Sequence, residues 1–271
     1  MKLGLSSLYL ANQPFRALVH AVECSGVKYW EISDEDCLAL NMKRIQILSE
    51  LKTSFGLEFV VHAPWGDLNI ASLNPFFRRF MLKRLARSLN FTSLLGARLW
   101  VFHPGAHSGL SILHPGEDLK VNLASVRDLL RIADDLGVSI SIENMPEPST
   151  MILKRIEDFE EFYRGVGEED VHIAFDVGHA NTVGQVQGFL DRCGDKIAHI
   201  HVHDNCGALD EHLPVGKGTT DWVALISFLK RGHFNGLVMV ETLENPLESF
   251  RKMENLYSEY GTSTFIKSSA T

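Results

Sequence analysis

HIAFDVGHANTV (residues 172–183) and IAHIHVHDNCGALDEHLPVGKG (residues 197–218) each open with a short apolar run that ends in side chains able to bind metal. Asp176 closes the first run and His179 follows it. In the second run His199, His201 and His203 alternate with Ile200 and Val202, the period of a strand with two different faces. Asp210 and His212 come next in a loop flanked by Gly and Pro. A lone histidine is usually a satisfied structural group. Two carboxylates with several imidazoles at strand ends suit a borderline divalent ion such as zinc or manganese.

The unit recurs outward from this stretch. A helical segment ends near Gly26, Gly56, Gly96, Gly137, Gly167, Gly194 or Gly236, and a β-branched or aromatic run follows. Those runs are KYWEIS, LEFVVHA, RLWVFH, VSISIEN, VHIAFD, KIAHIHVH and LVMVET, and LGLSS at 3–7 precedes them. In the segment before the fifth run, Leu119, Leu123, Val126, Leu130 and Ala133 share one helical face. Eight strands alternating with eight helices predict a single-domain (β/α)8 TIM barrel over residues 1–260, followed by a polar tail at 261–271. A doubly wound sheet is disfavoured because no Gly-rich phosphate loop follows the first strand.

Composition bounds the function. A chain of 271 residues with 45% hydrophobic content buries a large core. The net charge of −8 argues against a nucleic-acid partner, although bound metal ions would cancel part of it. Cys24, Cys37, Cys193 and Cys206 lack CxxC spacing and read as reduced thiols of a cytoplasmic protein. No run is long enough to span a membrane. The opening MKLGLSSLYLA is interrupted by serines and is needed as the first strand, which discounts a signal peptide.

The strand ends point to the chemistry. In order they offer His62, His103, Glu143, Asp176, His201 or His203, and Glu241. Six consecutive strands thus deliver metal-competent side chains to the rim where such barrels place catalysis. Ser139, Ser141 and Glu143 alternate with Ile140 and Ile142, which implies a polar barrel mouth.

HAP, HPG, EN, DxGHA, HxHD, DEHLPxGxG and a final ET, in this order over residues 1–255, resemble the endonuclease IV and xylose-isomerase-like TIM-barrel superfamily, including its sugar phosphate isomerase/epimerase branch. The resemblance implies metal ligands at His62, His103, Glu143, Asp176, His179, His201, Asp210, His212 and Glu241, holding one to three zinc or manganese ions. Glu143 would bridge two ions, and His179, Asp210 and His212 would hold a third. His201 is preferred to His203 because the family's ligand lies three residues before an Asp, here Asp204. The chain also departs from these relatives. SDEDCLAL after the second strand is acidic where the abasic-DNA enzymes carry DNA-holding residues. DNCGALD lacks the Arg that sugar epimerases place after the seventh-strand histidine.

Three functions are compatible with this pattern. The first is an isomerase or epimerase of a sugar or sugar phosphate, in which Glu143 and Glu241 move a proton by way of a metal-stabilised enediolate. The second is a zinc phosphodiester hydrolase of the endonuclease IV type, and the third a metal-stabilised binding protein. A small substrate is favoured over nucleic acid, with Trp65, His107, His203 and Lys217 as candidate substrate contacts. Phe76 and Phe77 are expected to start the third helix with Arg78 and Arg79 facing solvent. Glu31 either points into the mouth or caps the rim. Oligomeric state is not legible.

Overall fold

Residue pairing across the sheet closes on itself. In the computed structural model, which describes residues 1–167, 171–232 and 234–259, eight parallel strands form a closed barrel in sequence order. They are β1 (Lys2–Ser6), β2 (Tyr29–Ser33), β3 (Glu58–His62), β4 (Leu99–Phe102), β5 (Ser139–Glu143), β6 (Val171–Asp176), β7 (Ile197–Val202) and β8 (Leu237–Val240). Seven fall within the runs expected for them, and β1 is shifted one residue toward the start of the expected 3–7. β1 pairs with both β2 and β8, so the opening residues complete the ring. The proposed tail at 261–271 lies outside the described residues.

The helices between them are α1 (Phe15–Ser25), α2 (Met42–Phe55), α3 (Pro75–Leu94), α4 (Glu117–Leu136), α5 (Ile156–Val166), α6 (Val177–Thr182), α7 (Val186–Arg192), α8 (Trp222–Lys230) and α9 (Pro246–Glu259). One helix was expected between β6 and β7, and two short ones stand there. The reason is local: Asp176 caps α6 directly at the strand end, its Oδ1 accepting the His179 amide at 2.7 Å. Five of the seven expected glycines end helices or their turns with positive φ, but Gly194 and Gly236 do not. A Cβ on Gly236 would lie 2.0 Å from the Ala198 carbonyl oxygen, so that glycine lets β7 and β8 approach.

Alternation along the strands makes two cores. Outward residues such as Trp30, Ile32, Trp100, Ile142, Phe175 and Ile200 pack under the helices against Leu18, Leu48, Leu89, Val126 and Phe189. Each such side chain contributes roughly 1.5–3 kcal/mol by leaving water. The Trp100 indole N–H donates to Ser88 Oγ at 3.1 Å, which satisfies its polar edge inside that layer. Inside the ring, Val60, Val101, Ala174 and Met239 form a separate small cluster. Above it the interior turns polar, with Glu31, Glu143, Asp176, His199, His201 and Glu241 all buried. Among the described residues no helix is long and apolar enough to cross a membrane, and the four cysteines are unpaired.

Candidate metal centre

Parallel strands ending at one level bring distant residues together. His62, Glu143 and Asp176 are the last residues of β3, β5 and β6, while His103 and Glu241 directly follow β4 and β8. His201 aligns with Asp176 across the β6–β7 pair. His179 lies in the first turn of α6, and the loop after β7 returns Asp210 and His212 over the mouth. His212 takes a left-handed backbone, φ 46°, and its ring Nδ1–H donates to the Glu241 carbonyl at 2.7 Å.

Among the described residues four groups have ligand atoms within 4.8 Å of one another; one, Glu31 with His199 and His201, lies behind His201, and the other three contain the expected ligands. Tetrahedral zinc with bonds near 2.0–2.1 Å sets neighbouring ligand atoms about 3.3 Å apart. In the first group Glu143 Oε2 lies 3.2 Å from His62 Nε2 and 3.3 Å from His103 Nε2. In the second, His201 Nδ1 lies 3.4 Å from Glu143 Oε1, 3.3 Å from Glu241 Oε2 and 3.7 Å from Asp176 Oδ2. In the third, Asp210 Oδ2 lies 3.1 Å from His179 Nε2 and 3.3 Å from His212 Nε2. The two oxygens of Glu143 therefore face different groups.

The far side of each ring sets its tautomer. A carbonyl oxygen only accepts, so His62 Nδ1 facing Ala63 O at 2.8 Å and His179 Nδ1 facing Asn144 O at 2.7 Å must carry their protons. Their Nε2 atoms then present lone pairs to the centre. His201 is turned the other way, with Nε2 on Glu31 Oε2 at 3.1 Å and Nδ1 toward the carboxylates. Glu31 Oε2 also takes His199 Nε2 at 2.7 Å. Asp176 Oδ2, His201 Nδ1, His203 Nε2 and Asp210 Oδ1 are buried without a hydrogen-bond partner among the described residues. Buried polar atoms rarely stand alone. Lone pairs converging at ligand spacing fit a cation.

The electrostatics agree. Burial pulls His62 down, but the hydrogen bond and charge of Glu143 outweigh it and hold the ring at about 9. Burial likewise opposes His179 and His212, yet Asp176 and Asp210 hold the first at about 10, and Asp210 the second at about 9. Without metal these rings bind protons more tightly folded than unfolded, where the value is near 6.5. Their contribution to stability is complete below pH 6.5 and is lost as pH rises through 9–10. Chelator-treated protein should therefore lose melting temperature between pH 6.5 and 9.5, and zinc-loaded protein should not. A metal-free melting temperature that stays level or rises over that window would contradict the arrangement.

A cavity of about 330 Å³ opens above the centre, walled by Leu8, Trp65, Met145, Pro146 and Leu243 and floored by seven of the expected ligands. Trp65 is thus placed at the mouth. The other three expected substrate contacts are not. His107 donates from Nδ1 to Asp118 at 2.6 Å and lines a separate groove of about 500 Å³ beside α4 and α5. Lys217 is exposed on a turn whose backbone wraps Asp204, Gly216 N reaching Asp204 Oδ2 at 2.8 Å. His203 is fully buried in the third group, stacked on His212 with ring centroids 3.9 Å apart.

Two of the three acids in the loop after β2 are tied into the fold, and Asp36 is exposed. Asp34 is buried and holds the Arg84 guanidinium of α3 at 2.8 Å. Glu35 Oε2 accepts the amides of Trp65 and Gly66 at 2.8 and 2.7 Å, anchoring the loop that carries Trp65. Phe76 and Phe77 do start α3, and both are largely exposed.

A closed parallel barrel that gathers groups of possible metal ligands on one rim is a TIM barrel with a candidate metal centre. The chain belongs to the xylose isomerase-like TIM barrel family, whose model matches residues 18–258. A solved structure described as a D-tagatose 3-epimerase-like protein is 29% identical with a TM-score of 0.90, covering 98% of this chain and 100% of its own. An uncharacterized protein of Methanocaldococcus jannaschii is 32% identical over 244 residues, 89% of this chain and 83% of the relative. A probable endonuclease 4 of Pediococcus pentosaceus is 29% identical over 189 residues, 62% of this chain and 60% of the relative.

Proposed function

We propose that this chain is a divalent-metal-dependent isomerase or epimerase of a sugar or sugar phosphate, with Glu143 and Glu241 as the proton-moving pair. One observation carries the reading: these two carboxylates, from β5 and β8, belong to the same ligand group and line the same 330 Å³ cavity. That volume suits a small molecule. Near full-length likeness to the epimerase-like structure, against partial likeness to the endonuclease, supports the same choice.

Glu143, Asp176, His201 and Glu241 would hold the working ion, zinc or manganese. When bound, it supplies the Lewis acidity that weakens a C–H bond beside a carbonyl. Burial favours the neutral form of Glu143, but the charges of His201 and His103 outweigh it and keep the carboxyl well below its usual range. Glu143 is therefore ionised and able to take the proton. Glu241, steadied by the Ser6 hydroxyl donating to Oε1 at 3.0 Å, returns one from the other side. Trp65, Leu243 and Leu8 keep water from the carbanionic carbon. The two carboxyls exchange protonation states in each turnover, and solvent or the reverse reaction resets them.

The test is exchange in deuterated water with a panel of ketoses, aldoses and their phosphates. Deuterium should appear at the carbon beside the carbonyl and vanish in Glu241→Gln. The hydrolase stays as the second reading because the chain has three ligand groups where proton transfer needs one. No exchange with any sugar, together with cleavage of abasic duplex on adding zinc, would establish it instead.

A further inference from the structure

Most of α3 lies against the barrel, but its beginning does not. Burial on this helix begins at Leu85, and the residues before it are partly covered or exposed. Asn74 sets the start, its Oδ1 accepting the Phe76 amide at 3.0 Å with Pro75 as the first helical residue. Phe76, Phe77 and Phe80 project from this overhang with 81%, 62% and 72% of their surfaces exposed. Phe76 and Phe80 stand one turn apart on the same helical face.

A 3₁₀ turn over Gly109–Ile112, in the loop after β4, has the same character. None of its residues is buried, and Leu110, Ile112 and the following Leu113 expose 46%, 82% and 70%. The loops after β3 and β4 are knotted together where they leave the barrel. Asn69 Nδ2 donates to the Ala106 carbonyl at 3.0 Å, and its Oδ1 accepts the Ala106 amide at 2.9 Å. A Cβ on Gly105 would lie 2.3 Å from that of Ala71, so only a glycine permits the approach. The six apolar side chains therefore project from neighbouring loops on one side of the rim.

Monomeric soluble proteins rarely expose apolar patches larger than a few hundred Å². At these exposures the six chains offer on the order of 700 Å², near the roughly 800 Å² that each partner brings to a standard interface. Arg79 and Lys83 stand exposed on α3, and Asp67 on the loop ahead of it. A surface with both signs around an apolar centre can meet its own copy across a two-fold axis, cation to acid in each direction. A purely basic border would suit a lipid surface or a nucleic acid instead.

We propose that the start of α3 and the 3₁₀ turn after β4 form the interface of a two-fold dimer of this chain. Phenylalanine and arginine are among the residue types that interfaces gather. The dimer depends neither on the metal ions nor on the reaction chosen for them.

The experiment measures the mass of the full chain by sedimentation equilibrium, from nanomolar to high micromolar concentration. Wild type is expected at twice the 30.4 kDa of one chain. Phe80→Ser together with Ile112→Ser should weaken the dimer at least about 100-fold, the scale of losing two central anchors. Both positions are exposed, so the melting temperature of the separated chain should not fall. Val223→Ser, which changes an exposed apolar residue on α8, should leave the dimer intact. A wild-type chain that stays monomeric throughout would overturn the proposal, whether it remains free or floats with phosphatidylglycerol vesicles. So would a dimer that the double substitution leaves unchanged, or one that Val223→Ser splits equally well.

Discussion

Glu143→Gln is expected to remove ions from the first two groups at once and to slow proton exchange by about three orders of magnitude, the scale of a lost general base. The reason is geometric. Oε2 of this carboxylate faces His62 and His103, while Oε1 faces His201, and an amide replaces one oxygen with a donor that binds no cation. Glu241→Gln, by contrast, touches only the second group and should leave the ion at His62 and His103. Elemental analysis of the two variants beside wild type gives the comparison, with circular dichroism to show that the barrel persists. Wild-type metal content and turnover in Glu143→Gln would sink the bridging role.

Glu31→Ala should be the most destabilising change inside the barrel. Burial favours the neutral acid here, but the charges of His201 and His199 prevail and keep Glu31 ionised. Removing it strands two fully buried rings, a loss of about 3–5 kcal/mol. The melting temperature should fall by on the order of 10 °C. Glu31→Gln keeps the volume and should fold better. It should still bind the second ion about 10–100-fold more weakly, because the anion behind His201 is gone. Zinc competition titrations measure this without reference to activity. Unchanged affinity in Glu31→Gln would show that the carboxylate only fills space.

These two residues also show what the sequence discloses. Glu143 was legible because it ends a strand, and strand ends on a closed parallel barrel share one rim. Glu31 was not assigned, because alternation tells which face a residue takes but not which layer of the interior it meets. Its partners are 168 and 170 positions away, on β7. His203 was misplaced for a related reason: alternation turned it inward correctly, but nothing in the run HIHVH says that the loop carrying Asp210 folds back over it. The charge of SDEDC was legible, but not which of its acids the fold would use. Asp34 pairs with Arg84 and Glu35 with two backbone amides, so two of its three acids are committed to contacts inside the fold.

The small cluster of Val60, Val101, Ala174 and Met239 beneath the polar layer has a kinetic meaning. Gly4 is pressed so tightly there that a Cβ would lie 2.5 Å from the Met239 sulfur. The vessel is stoppered at its base, so among the described residues the cavity opens on the side of Trp65 and Leu243. On the proposed reading, two epimers differing at one carbon would share that one site. Each should then act as a competitive inhibitor of the other's conversion.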